Sequence, residues 1–196
     1  MTYTETLDPI NGHTIELIAM EDTDGLDPRE YDNLGVMAAY HRRYDLGDSK
    51  ADEVATLRAA MDDARRLRFD VIARYCRIRF GSTVCIPLGL IDHSGLSMYV
   101  GGGAHIMDPG GWDSGTIGFI FDTAATRATC WGETIPTQEQ VREGLHSEVQ
   151  EYDRWLRGDA WGYRICDANG NEVEEVWGFL GHEYAAQEAR AAVPTV

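Results

Sequence analysis

The sequence predicts an α+β protein with a mainly antiparallel sheet, a long helix in the C-terminal half and a β-hairpin after it. Three observations carry this. Strand-like segments come in adjacent runs and do not alternate strictly with helices. Thr137 to Leu156 holds an unbroken helical stripe, and Asn169-Gly170, between two strand-like segments, is a strong hairpin signal. At 196 residues and 43% hydrophobic, the chain can bury a sizeable core and reads as a single domain over residues 1–196. Residues 1–12 and 193–196 read as loose ends.

Taken in order, Thr14 to Met20 alternates as a strand does, and the turn-rich acidic stretch after it is broken by Gly25 and Pro28. Gly35 to His41 is a second strand. From Ser49 to about Asp70 the apolar residues Val54, Leu57, Ala60, Met61, Ala64 and Leu67 recur every three or four positions, behind a cap at Ser49 or Asp52. Phe69 to Arg79 fits a continued helix or a strand equally well. Thr83 to Ile91 is a buried strand in which Pro87 favours an edge or a bulge. Leu96 to Val100 is the next strand, Gly101 to Gly111 a loop, and Thr116 to Phe121 another strand. Asp122 or Thr123 caps a short helix toward Cys130. Thr137 and Gln140 form a capping box for the long helix, whose stripe is Val141, Leu145, Val149, Tyr152 and Leu156 and whose stop is Gly158. The hairpin pairs Ala160 to Cys166 with Glu172 to Phe179, and an alanine-rich helix, His182 to Ala192, closes the chain.

Charge narrows the functional classes. There are 33 acidic against 17 basic side chains, a formal charge of -16, and residues 51–100 are close to neutral between two acidic parts. A broad basic face for nucleic acid or an anionic membrane is therefore not expected. No window approaches the roughly 18 apolar residues of a membrane span, and Met1 to Pro9 has no leader character, so a cytoplasmic protein is expected. Cys76, Cys85, Cys130 and Cys166 are scattered without a CxxC pair and read as reduced, small core residues.

Two turn sequences bring together residues able to do chemistry. Asp92-His93-Ser94-Gly95 breaks two apolar strands and offers a carboxylate, an imidazole and a hydroxyl; the competing reading is a tight turn held by its own side chains. Trp112-Asp113-Ser114-Gly115 precedes another strand and offers a stacking face beside a carboxylate; it reads equally as a strand-entry turn. If the protein is an enzyme, Asp92, His93, Ser94, Asp113 and Ser114 are its catalytic candidates, with His41 and Asp32 as additions. The nucleophile elbow Gly-x-Ser-x-Gly is not matched. No histidine or cysteine pair has metal-ligand spacing, His105 with Asp108 being the one local pair, and Gly101-Gly102-Gly103 lacks the lysine of a phosphate loop. Neither metal nor cofactor is expected.

The acidic residues form rows of their own. Glu143, Glu148, Glu151 and Asp153 recur along the long helix, and Glu172, Glu174 and Glu175 along the hairpin. Carboxylates at such spacing can imitate the phosphates of DNA and occupy a basic groove; they also simply keep a protein soluble.

The motifs Asp32-Asn33-Leu34-Gly35, His41-Arg42-Arg43-Tyr44, Asp92-His93-Ser94-Gly95, Trp112-Asp113-Ser114-Gly115 and Trp177-Gly178-Phe179, in this order, resemble a family of small proteins carried by phages, plasmids and integrated elements, one without an assigned reaction. The resemblance implies a mobile-element accessory protein in a bacterial host cell. With the charge, it favours an acidic non-catalytic inhibitor, a DNA mimic of anti-restriction or anti-CRISPR kind, bound to a basic host or defence protein. Its binding residues would be Asp32, His41, Trp112 and the glutamates and aspartate of the two rows. The alternative is a small hydrolase-like enzyme or ligand-binding protein using the Asp92 and Trp112 turns. A third reading is a module whose motif residues only shape turns. A homodimer through the long helix or the hairpin edge is compatible with the sequence.

Overall fold

The computed structural model describes residues 3–62 and 69–194. Along the chain run β1 (Thr4–Ile10), β2 (His13–Ala19), a short 3-10 turn (Pro28–Glu30), β3 (Gly35–Ala39), α1 (Asp52–Asp62), α2 (Phe69–Phe80), β4 (Cys85–Asp92), β5 (Leu96–Val100), β6 (Ser114–Asp122), α3 (Ala124–Trp131), α4 (Gln138–Leu156), β7 (Ala160–Cys166), β8 (Glu172–Leu180) and α5 (His182–Ala192). The class is α+β, and every strand pairing is antiparallel. The strands form two sheets, β1-β2-β7-β8 and β3-β6-β4-β5, and the chain divides into two compact units, Met1–Pro28 with Arg154–Val196, and Arg29–Asp153. Among the described residues no helix is long and apolar enough to cross a membrane.

The smaller unit corrects the expectation of a loose N-terminus. Asn11-Gly12 is itself a two-residue hairpin turn: both residues have positive φ (51° and 77°), and Ile10 pairs with His13 across it. Pro9 is tolerated because β1 is an edge strand and its register with β2 slips between Leu7 and Ile10. Leu7, Ile15, Leu17, Tyr163 and Ile165 then share one face, on which α5 lays Ala185, Ala186 and Ala189. The C-terminal end is tied down as well: Val193 is buried, and the Pro194 carbonyl accepts a hydrogen bond from Asn11. The later hairpin forms as expected, but not by a two-residue turn. Cys166 pairs with Glu172, and the Asp167 carboxylate accepts from the Asn169 and Asn171 amides, leaving only Gly170 at positive φ.

In the larger unit, α2 decides the segment that the sequence left open. Ile72 and Cys76, one helical turn apart, pack with Val54 and Leu57 of α1 on Val36, Ala38, Phe119 and Phe121. The middle of the expected 49–70 helix, residues 63–68 with Ala64 and Leu67, lies outside the described residues. The capping boxes Thr123/Thr126 and Thr137/Gln140 both form. Helix α4 covers the other face of the sheet. A Cβ at Gly35 would stand 2.6 Å from Leu145 and 2.7 Å from Ile120, so a larger residue there would push these side chains aside. Pro87 lies in an inner strand, contrary to a simple edge. Its carbonyl accepts from Gly101 just past the last β4–β5 pair, so its missing N–H faces the side on which that pairing has ended. The bulge is one residue further, where Leu88 opposes Gly118 but Gly89 opposes Thr116, leaving Ile117 of β6 as the extra residue.

Candidate functional site

The C-terminal ends of β3 and β4 and the first residues of β6 meet at one end of the larger unit's sheet, next to the Ile117 bulge. They enclose a pocket of about 410 Å³ lined by His41, Arg42, Arg43, Leu90, Asp92, Trp112, Asp113, Ser114, Gly115, Thr116 and Ile117. Antiparallel pairing is what brings the two turn motifs together: the Asp92 amide donates to the Asp113 carbonyl at 2.8 Å.

The side chains do not combine as their order in the sequence suggests. Asp92 ends β4 while His93 and Ser94 lie in the turn after it, and so the three side chains diverge. Asp92 forms an ion pair with Arg43 and accepts from the Tyr44 hydroxyl at 3.4 Å. His93 Nδ1 lies 2.8 Å from Asp113 Oδ2, across the strands. Ser94 stands exposed at the turn apex with φ 56°. On the other wall, His41 stacks on Tyr44 with ring centroids 4.9 Å apart. Asp32 lies in the segment before β3 and does not line the pocket.

Asp108 organises the loop that enters β6. It accepts from the Trp112 and Asp113 amides at 3.3 and 2.9 Å and from the Ser114 hydroxyl at 2.8 Å. These bonds, the Asp113 amide foremost, hold its carboxyl below the usual carboxylate range. Ser114 Oγ also accepts from the His105 amide, so its hydroxyl is engaged on both sides in fastening the loop. Gly103 N–H is taken by Thr116 Oγ1 and the Tyr99 hydroxyl donates to the Gly103 carbonyl at 2.6 Å, so the glycine-rich stretch is a fastened loop. His105 Nδ1 accepts from the Met107 amide. Among the described residues no group of three or more histidine, cysteine, aspartate or glutamate side chains could hold a metal ion.

The acidic rows are largely engaged within the protein. Glu148 pairs with Arg29 at 3.0 Å and accepts from the Leu34 and Gly35 amides. Burial raises its carboxyl, against the pull of Arg29. Arg29, whose side chain is 4% exposed, also grips Asp48 through two hydrogen bonds of 2.9 and 2.7 Å. Its pKa stays above the ordinary arginine value: burial lowers it, and the Asp48 and Glu148 carboxylates more than compensate. Asp153 accepts from Ser97 and the Met98 amide, fixing the start of β5. On the hairpin, Glu172 and Glu175 lie 3.5 and 2.7 Å from Arg164, and Glu174 accepts from Tyr163. Glu143 and Glu151 are exposed.

Thr116 was not singled out in the sequence, Arg42 and Arg43 stood there only within a motif, and Asp108 only as a neighbour of His105. Arg42-Arg43 had a signal, being consecutive cations at a strand end in an otherwise acidic N-terminal part. The bonds of Asp108 to Trp112, Asp113 and Ser114 had none, since they are set by the path of the loop. Comparison with protein-family models, with curated proteins and with solved structures gives no match.

Proposed function

We propose that the larger unit binds a small polar organic ligand in the pocket between His41-Arg42-Arg43 and Trp112-Asp113-Ser114, the observation that carries this being the convergence of those two segments with Asp92 on one cavity. Its volume of about 410 Å³ lies within the range of small-molecule sites. The His93–Asp113 pair stands at its rim. With Asp113 accepting from Nδ1–H, the His93 Nε2 lone pair is available to take a proton from a bound molecule or a water, the hydrolase-like arrangement. Ligand-observed NMR with a fragment library tests the reading. Fragments should bind the native protein, and Trp112→Ala and Asp92→Asn should lose them. Binding unchanged in both variants refutes the pocket.

A second reading, the acidic counter-defence decoy acting inside a bacterial host, rests on the charge of -16, on exposed Glu143 and Glu151, and on the resemblance to mobile-element proteins. Glu143→Lys with Glu151→Lys should abolish a salt-sensitive complex with a basic host or defence protein while leaving fragment binding intact. Salt-insensitive binding, or no effect of the reversal, removes this reading.

A further inference from the structure

Resting on the pocket reading, we propose that the ligand is a small aromatic organic anion, its flat ring against Trp112 and its carboxylate or phosphate on Arg42. The one lining cation without an ion-pair partner selects the sign. Arg43 pairs with Asp92 and the Asp113 carboxylate is engaged by the His93 ring, whereas Arg42, an exposed side chain on the pocket wall, has no carboxylate partner among the described residues. A protein with a formal charge of -16 repels anions as a whole, so a cation left uncommitted in a cavity is what allows one to enter. The planar guanidinium matches the two oxygens of a carboxylate or phosphate.

The ring is selected by Trp112, whose side chain is 90% exposed although it lines the cavity. Asp108 holds the Trp112 and Asp113 amides, and the indole lies against Gly110, where a Cβ would stand 2.6 Å from Cδ1 and Nε1. A large aromatic surface left in water on a fastened backbone offers a stacking face. Leu90 and Ile117 add apolar surface to the same cavity.

The test is a titration of 15N-labelled full-length protein with adenosine monophosphate, benzoate, adenosine, benzamidine and inorganic phosphate, following the indole N–H that Trp112→Phe removes. Adenosine monophosphate, benzoate or both should shift it. Arg42→Ala should weaken that binding roughly 10- to 100-fold and Trp112→Ala by a similar factor. Benzoate among the binders means that ring and charge suffice; adenosine monophosphate alone identifies a nucleotide phosphate, and either result supports the proposal. Binding of adenosine or benzamidine that matches the anions and ignores Arg42→Ala overturns the anion while leaving the pocket reading intact. Inorganic phosphate binding as tightly as the ring compounds means an adventitious ion only and overturns it too. If no probe shifts a pocket resonance, the proposal fails, and the fragment library decides separately whether the pocket reading fails with it.

Discussion

Arg29 holds two carboxylates in a place that water barely reaches. Removing one partner of a buried ion pair leaves the others uncompensated, so Arg29→Ala should cost about 3–5 kcal/mol of stability, read from the denaturant midpoint. A loss below about 1 kcal/mol would mean that Asp48 and Glu148 find other solvation. Asp108, half-buried in the loop that enters β6, gives a pH dependence of its own. Its carboxyl is more acidic in the folded loop than in the unfolded chain, so its contribution is complete above the ordinary value of about 3.9 and is lost as pH falls through the lower folded value. Acidification below about pH 4 should therefore lower the protection of the Trp112 and Asp113 amides relative to their intrinsic exchange rates, and Asp108→Asn should show that loss of protection already at neutral pH. Tyr163 behaves in the reverse sense: burial and Glu174 push its hydroxyl up to about 12, so the stability it contributes is whole below about pH 10 and falls as pH rises through 12. Its phenolate absorbance should appear only beyond the range of exposed tyrosines.

At the scale of elements, turns and caps decide more than propensity does. The β1–β2 hairpin depends on Gly12, which sits at φ 77°, where a β-branched side chain is strained. Gly12→Val should cost about 1–2 kcal/mol by thermal unfolding, and a neutral outcome would show that the turn relaxes to another type. Most elements were legible in the sequence because their signals are local. The Thr137/Gln140 capping box and the stripe Val141, Leu145, Val149, Tyr152 mark α4, and the run Leu96 to Val100 coincides with β5. What was missed has a physical cause in each instance. The segment Thr4–Ile10 is polar because β1 is an edge strand that buries little beyond Leu7, so hydrophobic periodicity could not reveal it, although Asn11-Gly12 could have. Phe69 to Arg79 was ambiguous because its apolar residues Ile72 and Cys76 suit either period until α2 meets Phe119 and Phe121.

For the whole molecule, the smaller unit is assembled from both ends of the chain, Met1–Pro28 and Arg154–Val196. Its sheet places β2 between β1 and β7, so deleting residues 1–12 should disturb the amide resonances of β2, β7 and α5 while leaving those of β4 and β6 in place. A loose N-terminal tail would leave all of them unmoved. The larger unit carries the pocket from His41, Asp92 and Trp112; the sequence had already separated out the Asp92 and Trp112 turns as chemistry-bearing, with His41 as an addition at a strand end. By itself the sequence determined the α+β class, the antiparallel pairing, the caps and nearly every helix and strand, because each rests on residues within a few positions of one another. Only the tertiary structure decided which side chains face each other. It paired His93 with Asp113 and not with Asp92 or Ser94, turned Glu148 and Asp153 inward, and brought Arg42 and Trp112 to one cavity, since strand register and helix packing join residues that no spacing along the chain connects.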